Sequence, residues 1–323
     1  MTRRAVIRGV GHNLPERVVP NSYFEDLLDT SDDWIRSRSG IERRHFAAEG
    51  QTSSDLATAA ARAALADAGL VPDDIDAIIV ATSTADLTFP SCATMVQAKL
   101  EMTRGFAYDV QAVCAGFVFA LANANGMILS GQADRVLVIG AETFSRIMDW
   151  TDRSTCVLFG DGAGAVILEA GEGSGTVADR GILALDLNSD GRFRDILYVD
   201  GGVTTGATGH LRMEGKEVFR HAVEKLASTA RASLAKLGLD GREVDWIVPH
   251  QANLRIIKAT AQKLGLDMDH VIVTVQDHGN TSAASIPLAL SVGKAEGKIR
   301  PGDLIVVEAI GGGLAWGSAV LRW

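Results

Sequence analysis

Three polar residues of this chain have side chains that can carry acyl-transfer chemistry. Cys114 stands where an extended run, residues 107–113, gives way to an apolar run of the kind that forms a buried helix. His250 follows a buried strand and a proline, and Asn280 lies in a Gly-Asn turn before a second apolar helix. A cysteine thiolate can take an acyl group from a thioester. A neutral histidine and an asparagine can both donate hydrogen bonds to an enolate oxygen, which suits a carbanion formed by decarboxylation.

Each of these residues also has an ordinary structural explanation. Free cysteine is a common core residue, asparagine is favoured in turns, and a histidine at a strand end can simply be hydrogen-bonded there. At Cys114 the position adds an argument, because the first turn of a helix offers unpaired N–H groups and the positive end of the helix dipole. That environment favours the thiolate and predicts a nucleophile. Whether the three side chains meet depends on the elements that hold them.

Those elements follow one plan twice. In each half a short strand follows a helix and leads to a buried apolar helix, entered at Cys114 in the first half and at Thr281-Ser282 in the second. The separation is 38 residues from Asp76 to Cys114 and 37 residues from Asp245 to Ser282. Self-similarity on this scale indicates two copies of one α/β unit.

Alternating strands and helices predict mainly parallel sheets with helices on their faces. If two such sheets share a buried helix layer, Cys114 lies near a pseudo-twofold axis, opposite the turns that carry the other two polar residues. We therefore expect one cavity to contain all three. The glycine-rich segment 171–175 is the expected boundary between an N-terminal half, residues 1–170, with the cysteine, and a C-terminal half, residues 171–323, with the histidine and the asparagine.

Composition narrows the class of protein. The chain has 323 residues, 47% apolar and 22% charged, which is ordinary for a globular protein. A net charge of −9 argues against general nucleic-acid binding but leaves room for a local basic patch. Its three cysteines, Cys92, Cys114 and Cys156, have neither metal-ligand spacing nor the pattern of a disulfide framework, which favours a reducing compartment. The charged N-terminus does not read as a signal peptide, and we expect no membrane span.

Several motifs, in this order, resemble one family. They are Ala112-Val-Cys-Ala-Gly-Phe117, Gly160-Asp-Gly-Ala-Gly164, Val248-Pro-His-Gln-Ala-Asn253, His278-Gly-Asn-Thr-Ser-Ala-Ala-Ser285, and Gly311-Gly-Gly with Trp316-Gly-Ser318. On these motifs the whole chain, residues 1 to 323, resembles the β-ketoacyl-(acyl carrier protein) synthase III family of the thiolase superfamily. The resemblance implies a duplicated α/β fold with five layers, αβαβα, in which two mixed, mainly parallel sheets enclose a buried helix layer.

The resemblance also implies a reaction. An acyl-CoA primer, by default acetyl-CoA, would acylate Cys114 and then condense with malonyl-acyl carrier protein, with loss of CO2, to start fatty acid synthesis. Coenzyme A thioesters would be substrates, no cofactor would be bound permanently, and no metal would be needed. The implied partner is acyl carrier protein, and the implied form is a cytoplasmic homodimer with no membrane or nucleic-acid contact.

Roles for individual residues follow from the same resemblance. His250 and Asn280 would drive decarboxylation, and the N–H groups of Cys114 and Gly312 would form the oxyanion hole. Trp34, Arg38 and Arg153 would hold coenzyme A, and Asn253 would line the pantetheine channel. The acyl pocket or tunnel would involve Phe89, which would reach across the dimer interface, with Met213, Gly215 and Phe219. A carrier-protein patch would comprise Arg220, Arg255, Lys258 and Lys263, for which a solvated helix face is the alternative. Ile310 stands where some members of the family have Phe, so we expect different packing around Cys114.

Three other functions fit parts of the pattern. A Cys, His, Asn order also occurs in papain-like cysteine proteases, although this chain has a duplicated α/β plan. A related condensing enzyme or acyltransferase of secondary metabolism would use a different primer or acceptor, and Asn280 favours condensation over plain transfer. A catalytically silent scaffold is the third alternative, and the complete set of three polar residues argues against it.

Overall fold

A computed structural model describes residues 2–323. Its strands are β1 (Thr2–Asn13), β2 (Arg17–Pro20), β3 (Arg43–Phe46), β4 (Ala77–Ala81), β5 (Phe106–Val110), β6 (Arg135–Thr143), β7 (Asp161–Gly173), β8 (Gly181–Ser189), β9 (Leu197–Val199), β10 (Leu211–Met213), β11 (Trp246–Pro249), β12 (Leu304–Gly311) and β13 (Ala315–Arg322). Its α-helices are α1 (Asp32–Ser39), α2 (Ser53–Ala68), α3 (Cys92–Lys99), α4 (Gly116–Ser130), α5 (Gly215–Ala235), α6 (Leu254–Leu264), α7 (Val275–His278) and α8 (Ser285–Ala295).

Two mixed sheets form the frame. The first has the order β1-β7-β6-β4-β5 and the second has the order β11-β12-β13-β8. The mixed sheets were expected, but the parallel share is smaller than the alternation of strands and helices predicts. Only β4 with β5, β4 with β6, and β11 with β12 pair in parallel within these two sheets. In each half the chain returns from the central strand to its neighbour, β6 to β7 and β12 to β13, without a crossover helix, and such a return gives antiparallel pairing.

The helices α4 and α8 lie between the two sheets and complete five layers. One core cluster joins Val138 of the first sheet, Leu121 of α4, Ile286 of α8 and Val307 of the second sheet. The outer face of the first sheet is covered by α2, and that of the second by α5. The layer order αβαβα that the resemblance implies is therefore the one observed.

The stretch that contains α4 is unusually apolar. Within residues 2–323, Val113–Ser130 is long and apolar enough to cross a membrane by length and composition, and it carries no charge, although the sequence led us to expect no such segment. Phe117, Leu121 and Ile128 of this stretch are fully buried in the central core. A helix packed between two sheets has apolar contacts on several sides, which accounts for its composition.

The duplication is visible as a constant offset of 169 residues. It relates the starts of β4 and β11, of α4 and α8, and of β6 and β12. The same offset relates Val113 to Ser282, which begin two short 3-10 turns. Cys114 therefore corresponds to Ala283, one residue beyond the counterpart expected from the sequence.

Two local sequence patterns are misleading. The run 271–275 has the β-branched composition of a strand, but only Val271 makes a single β-bridge, to Ile247, before α7 begins. A short run of β-branched residues does not by itself distinguish a strand from a buried connection. The pair Arg43-Arg44 has the sequence of a solvated basic turn or an anion site, yet Arg44 is fully buried on β3. It donates to Asn21 Oδ1 at 2.8 Å and to the Val157 carbonyl at 2.5 Å.

Candidate active site

Cys114 sits in a tight turn at the entrance of α4. The 3-10 turn Val113–Ala115 precedes the helix, and Val113 has φ of 50°, in the left-handed region that a β-branched residue rarely adopts. Its counterpart Ser282 has φ of 49°. Strain of this kind persists where the surrounding structure holds the backbone in place. The two matching turns thus fix the backbone of Cys114 at the centre of the molecule.

The glycine turn after β12 packs against the same backbone. A Cβ atom on Gly311 would lie 2.6 Å from the backbone nitrogen of Cys114 and 2.8 Å from the carbonyl oxygen of Ala112, so only glycine fits there. Gly312 follows directly. A side chain at that position would lie 2.7 Å from the carbonyl oxygen of Leu197. The glycine run therefore brings its backbone beside Cys114, as an oxyanion hole of backbone N–H groups requires.

A cavity of about 310 Å³ brings the three polar residues together. Cys114, His250 and Asn280 all line it, although they lie far apart in the sequence. The walls are otherwise mostly apolar, as in many small-molecule sites. Apolar lining residues include Val113, Phe144, Val157, Leu158, Phe159, Leu197, Leu211, Met213, Ile256 and Ile310.

The electrostatics of Cys114 differ from the expectation. Burial raises the pKa of its thiol to about 12, because a thiolate in this apolar site would lose its hydration. The neighbouring Ser282 side chain and the residue's own backbone amide lower the pKa, and the charge of Glu142 raises it. The prediction of a favoured resting thiolate was therefore wrong, since desolvation outweighs the position at the helix entrance. The proton must leave the thiol during reaction.

His250 is neutral. Burial lowers its pKa to about 3, because no carboxylate compensates the imidazolium charge. Its Nδ1 is 2.7 Å from Ser285 Oγ, on the first residue of α8. The backbone N–H of His250 donates to the Glu308 carbonyl at 2.8 Å, which extends the pairing of β11 with β12 by one residue. With Nδ1 occupied, Nε2 is the ring nitrogen available to a substrate.

Asn280 is held by its oxygen. Its Oδ1 accepts a hydrogen bond from the backbone N–H of Ser282 at 2.9 Å. Its backbone N–H donates to the Leu158 carbonyl at 2.8 Å, and its own carbonyl accepts from the Gly160 N–H at 3.0 Å. These bonds tie the turn to the segment before β7. The amide nitrogen of the side chain remains as a donor.

The residues expected to hold coenzyme A gather at one end of the cavity. Trp34, Arg38 and Asn253 line it, whereas Arg153 does not, although its neighbour Ser154 does. The guanidinium carbon of Arg153 lies 4.8 Å from the centre of the Trp34 ring, and that of Arg38 lies 5.8 Å from it. Asn253 caps α6 and its side-chain nitrogen donates to the Arg38 carbonyl at 3.1 Å. An aromatic ring beside two cations suits a planar, anionic ligand.

The residues expected at the acyl pocket or tunnel are divided. Met213, Gly215 and Phe219, at the end of β10 and the start of α5, line the cavity. Phe89 does not, and its side chain is 82% exposed. Ile310 lines the cavity and packs with Leu226 and Ile256.

The expected basic patch is only partly available. Arg220 is ion-paired with Glu217, and Lys263 with Glu224. Arg255 lines the cavity, and its guanidinium carbon lies 5.6 Å from the Phe219 ring. Arg255 and Lys258 have no ion pair among the described residues. Within residues 2–323 no group of three or more His, Cys, Asp or Glu side chains is arranged to hold a metal ion.

Three residues near the cavity were not assigned from the sequence. Ser285 contacts His250, and Ser282 contacts both Cys114 and Asn280. Glu142 is a fully buried carboxylate at the end of β6, hydrogen-bonded to Ser282 Oγ at 3.0 Å. A lone acidic residue inside the apolar run of β6 was the available signal, because an unpaired carboxylate is costly to bury.

Known proteins match this chain closely. The family model described as 3-oxoacyl-[acyl-carrier-protein (ACP)] synthase III matches residues 108–191, and its C-terminal counterpart matches residues 234–323. The chain is 77% identical to a beta-ketoacyl-[acyl-carrier-protein] synthase III of Cereibacter sphaeroides and 76% identical to one of Ruegeria pomeroyi, over 100% of both chains in each case.

Solved structures agree with these relatives. The crystal structure of 3-oxoacyl-[acyl-carrier-protein] synthase III from Aquifex aeolicus matches with a TM-score of 0.94 at 45% identity, over 99% of this chain and 100% of that one. The priming beta-ketosynthase from the R1128 polyketide biosynthetic pathway matches with a TM-score of 0.91 at 33% identity, over 100% and 97% of the two chains.

Proposed function

This chain belongs to the 3-oxoacyl-[acyl-carrier-protein] synthase III family, and from that premise we propose how its own residues perform the reaction. The enzyme is an acyltransferase that starts fatty acid synthesis by decarboxylative condensation of an acyl-CoA primer with malonyl-acyl carrier protein. The products are 3-oxoacyl-carrier protein, CO2 and coenzyme A. The observation that supports our assignment of roles is the single cavity lined by Cys114, His250 and Asn280, with Trp34 and Arg38 at one end.

In the first half-reaction Cys114 becomes acylated. Its sulfur attacks the thioester carbonyl carbon of the primer, and the C–S bond to coenzyme A breaks. The negative oxygen that forms is stabilised by the backbone N–H groups of Cys114 and Gly312. Coenzyme A enters past Trp34, Arg38 and Arg153, and its pantetheine arm passes Asn253. It is a substrate and not a resident cofactor.

In the second half-reaction the malonyl thioester loses CO2. The electron pair of the broken C–C bond goes to the α-carbon, and the enolate oxygen is stabilised by Nε2–H of His250 and the side-chain amide of Asn280. The carbanion attacks the acyl-Cys114 carbonyl, and the sulfur leaves. Ser285 Oγ lies 2.7 Å from Nδ1 of His250 and already accepts the Gln251 N–H at 3.2 Å. In our proposal its hydroxyl donates to Nδ1, which places the histidine proton on Nε2. No residue needs to remove a proton from the malonyl group, because decarboxylation supplies the electron pair.

A short primer, with acetyl as the simplest case, suits the walls of the cavity. Phe144 stacks on Phe159 with 5.0 Å between ring centres. Phe144, with Val113, Leu197 and Leu211, separates the cavity from a second one of about 740 Å³. A long acyl chain would have to displace this wall.

The remaining parts of the proposal concern the assembly. The exposed Phe89 suits a side chain that reaches into a partner subunit, and we propose a cytoplasmic homodimer. Residues 1–170 and 171–323 are proposed as the two halves of the duplication. Acyl carrier protein would dock where Arg255 and Lys258 are free of ion pairs.

Labelled acetyl-CoA tests the assignment. The wild-type enzyme should carry the label on Cys114, detected by mass spectrometry of peptides, and Cys114→Ala should abolish it. Label on Cys92 or Cys156 would contradict the assignment. A cysteine hydrolase would instead cleave a peptide or ester substrate without needing malonyl-carrier protein. A condensing enzyme of secondary metabolism, suggested by the likeness to the priming ketosynthase, would prefer a primer other than acetyl-CoA in a panel of acyl-CoA thioesters.

A further inference from the structure

A buried series of hydrogen bonds leads from the 3-10 turn that begins at Ser282 into the first half of the molecule. Ser282 Oγ donates to Oε1 of Glu142 at 3.0 Å. Thr84 Oγ1 donates to Oε2 of the same carboxylate at 2.6 Å, and the backbone N–H of Ser83 donates to it at 3.1 Å. Glu142 is fully buried, so this group of donors replaces its hydration.

Cys114 lies at one end of the series. The Ser282 side chain contacts the Cys114 sulfur, and this contact lowers the pKa of the thiol. Ser282 is the counterpart of Val113, so the two matching turns meet where the nucleophile lies. The hydroxyl of Ser282 thus touches both the Cys114 sulfur and the Glu142 carboxylate.

The other end of the series reaches a separate cavity. Ser53 Oγ lies 3.2 Å from Thr84 Oγ1 and 3.1 Å from Thr143 Oγ1. Ser53, Thr84 and Thr143 line a cavity of about 340 Å³ that is distinct from the one at Cys114. The carboxylate can therefore exchange protons with solvent by a route that does not cross the substrate cavity.

Glu142 is suited to hold a proton temporarily. Burial raises its pKa to about 7, so at neutral pH it both accepts and releases a proton readily. No Lys or Arg within residues 2–323 forms an ion pair with it. The other titratable groups that its charge reaches are Cys114 and Cys92, whose pKa values it raises. Cys114 and Glu142 are buried close together, so the pair carries one negative charge far more easily than two.

His250 is a poor acceptor for the thiol proton. Burial lowers its pKa to about 3, and its Nδ1 is already bonded to Ser285. An imidazolium in this site would be a desolvated cation without a carboxylate partner. The proton of Cys114 therefore needs another destination.

We propose that Ser282 and Glu142 form a proton relay that takes the thiol proton of Cys114 during acylation and returns it when the product leaves. The inference rests on the proposed role of Cys114 as the acylated nucleophile. Ser282 contacts the reacting sulfur, whereas Glu142 acts through Ser282 and positions the proton.

The protons and charges balance through both half-reactions. In acylation the S–H bond of Cys114 breaks, its proton goes to Ser282 Oγ, and the Ser282 proton goes to Glu142. The sulfur keeps the electron pair and forms the bond to the acyl carbon, and the departing coenzyme A thiolate takes a proton from solvent. In condensation the malonyl group loses its charge as CO2, and the Cys114 thiolate released at the end recovers its proton from Glu142. One turnover consumes one proton from solvent.

The pH dependence of Cys114 alkylation tests the relay without substrate. If the thiol and Glu142 share one proton, the rate of alkylation by iodoacetamide rises with pH to about 7 and is then level over about two pH units. In Glu142→Gln the amide keeps the shape but holds no proton. Its rate should keep rising about tenfold per pH unit over the same range, because only direct ionisation of the thiol remains.

Acylation by acetyl-CoA provides the second readout. In single-turnover measurements, Glu142→Gln and Ser282→Ala should each acylate Cys114 at least about tenfold more slowly at neutral pH, a modest share of what a positioned acid or base contributes. Glu308→Gln is the matched control, since Glu308 is the other fully buried glutamate with a strongly raised pKa and does not act on Cys114. This control should keep both the level region and the acylation rate.

Two experimental results would contradict the proton relay. A folded Glu142→Gln that keeps the level region, or a folded Ser282→Ala with an unchanged acylation rate, would overturn it. If Glu142→Gln fails to fold, as judged by circular dichroism, the Ser282→Ala measurement decides. Wild-type enzyme that is not labelled on Cys114 by acetyl-CoA would instead contradict the proposed function, and the alkylation profile would still report on the relay.

Discussion

The side-chain oxygen of Asn280 accepts a hydrogen bond from the backbone N–H of Ser282 at 2.9 Å, so the side-chain nitrogen is the atom that remains available to a substrate. A donor is what an enolate oxygen requires. The same Ser282 contacts Cys114 through its hydroxyl. Ser282 therefore orients the side chain that we propose as a donor in decarboxylation and touches the proposed nucleophile, Cys114.

Asn280→Asp should separate the two half-reactions. The carboxylate keeps the oxygen that Ser282 binds but replaces the donor with a negative charge. Decarboxylation of malonyl-carrier protein, measured as released labelled CO2, should fall at least about a hundredfold, the usual effect of losing one donor to a developing oxyanion. Acylation of Cys114 by acetyl-CoA should remain close to wild type. His250→Ala should behave likewise, and loss of acylation alone in either variant would contradict the roles assigned here.

Phe144→Ala should lengthen the primer that the enzyme accepts. The substitution removes a side chain that separates the 310 Å³ and 740 Å³ cavities, so an acyl chain can extend from Cys114 into the second one. We expect kcat/KM for a six- to eight-carbon acyl-CoA to rise relative to acetyl-CoA, by about tenfold, the effect of a few apolar contacts. Phe144→Leu leaves part of the wall and should give a smaller shift. An unchanged ratio in a folded Phe144→Ala variant would exclude this side chain as the limit on primer length.

Arg255→Ala should weaken the use of malonyl-carrier protein. Arg255 is exposed at the rim of the cavity and has no acidic partner among the described residues, so its charge is available to an acidic protein. We expect KM for malonyl-carrier protein to rise about fivefold at low salt, with less difference at high salt, as for other rim charges. Lys263→Ala is the matched control, because the charge of Lys263 is already paired with Glu224. Equal effects of the two variants would mean that freedom from an ion pair does not decide which cations bind the carrier protein.

Glu308 should make the fold less stable as pH rises. Its carboxyl is fully buried with neither oxygen hydrogen-bonded, and burial raises its pKa from 4.5 to about 8. Because the unfolded chain ionises this group first, stability falls between pH 4.5 and pH 8. Relative to wild type, Glu308→Gln should gain about 3 kcal/mol in free energy of unfolding between pH 4.5 and pH 7. Urea unfolding at the two pH values measures this difference, and a constant difference would show that Glu308 is ionised in the fold.

The sequence was sufficient for the fold and for the three central residues. Cys114, His250 and Asn280 could be placed in one cavity because each stands at the end of an apolar element and the elements repeat. The thiolate expected at Cys114 was wrong, because the position at a helix entrance is visible in sequence but the depth of burial is not. The sequence shows only the local field at the start of the helix, whereas the desolvation of the thiol depends on how both sheets enclose it.

Glu142 and Phe144 could not be assigned in advance for a related reason. The partners of Glu142 come from the loop at Ser83 and Thr84 and from the turn at Ser282, which are distant in sequence. In the sequence Phe144 looks like an ordinary core aromatic, and only the structure shows that it lines two cavities. Both roles are properties of the assembled layers and leave no periodic signal.

The constant offset of 169 residues has a consequence for how the two copies have diverged. Positions 114 and 283 are equivalent in the backbone, yet one carries a thiol and the other a methyl group. Gly140 leaves no room for a Cβ beside the carbonyl of Ala283, at 2.2 Å, so this copy is tightly enclosed. In the proposed mechanism the first copy forms the covalent bond, and the second supplies the polar groups that act on it. A duplicated backbone would thus have a single reaction centre, and its two halves would not be interchangeable.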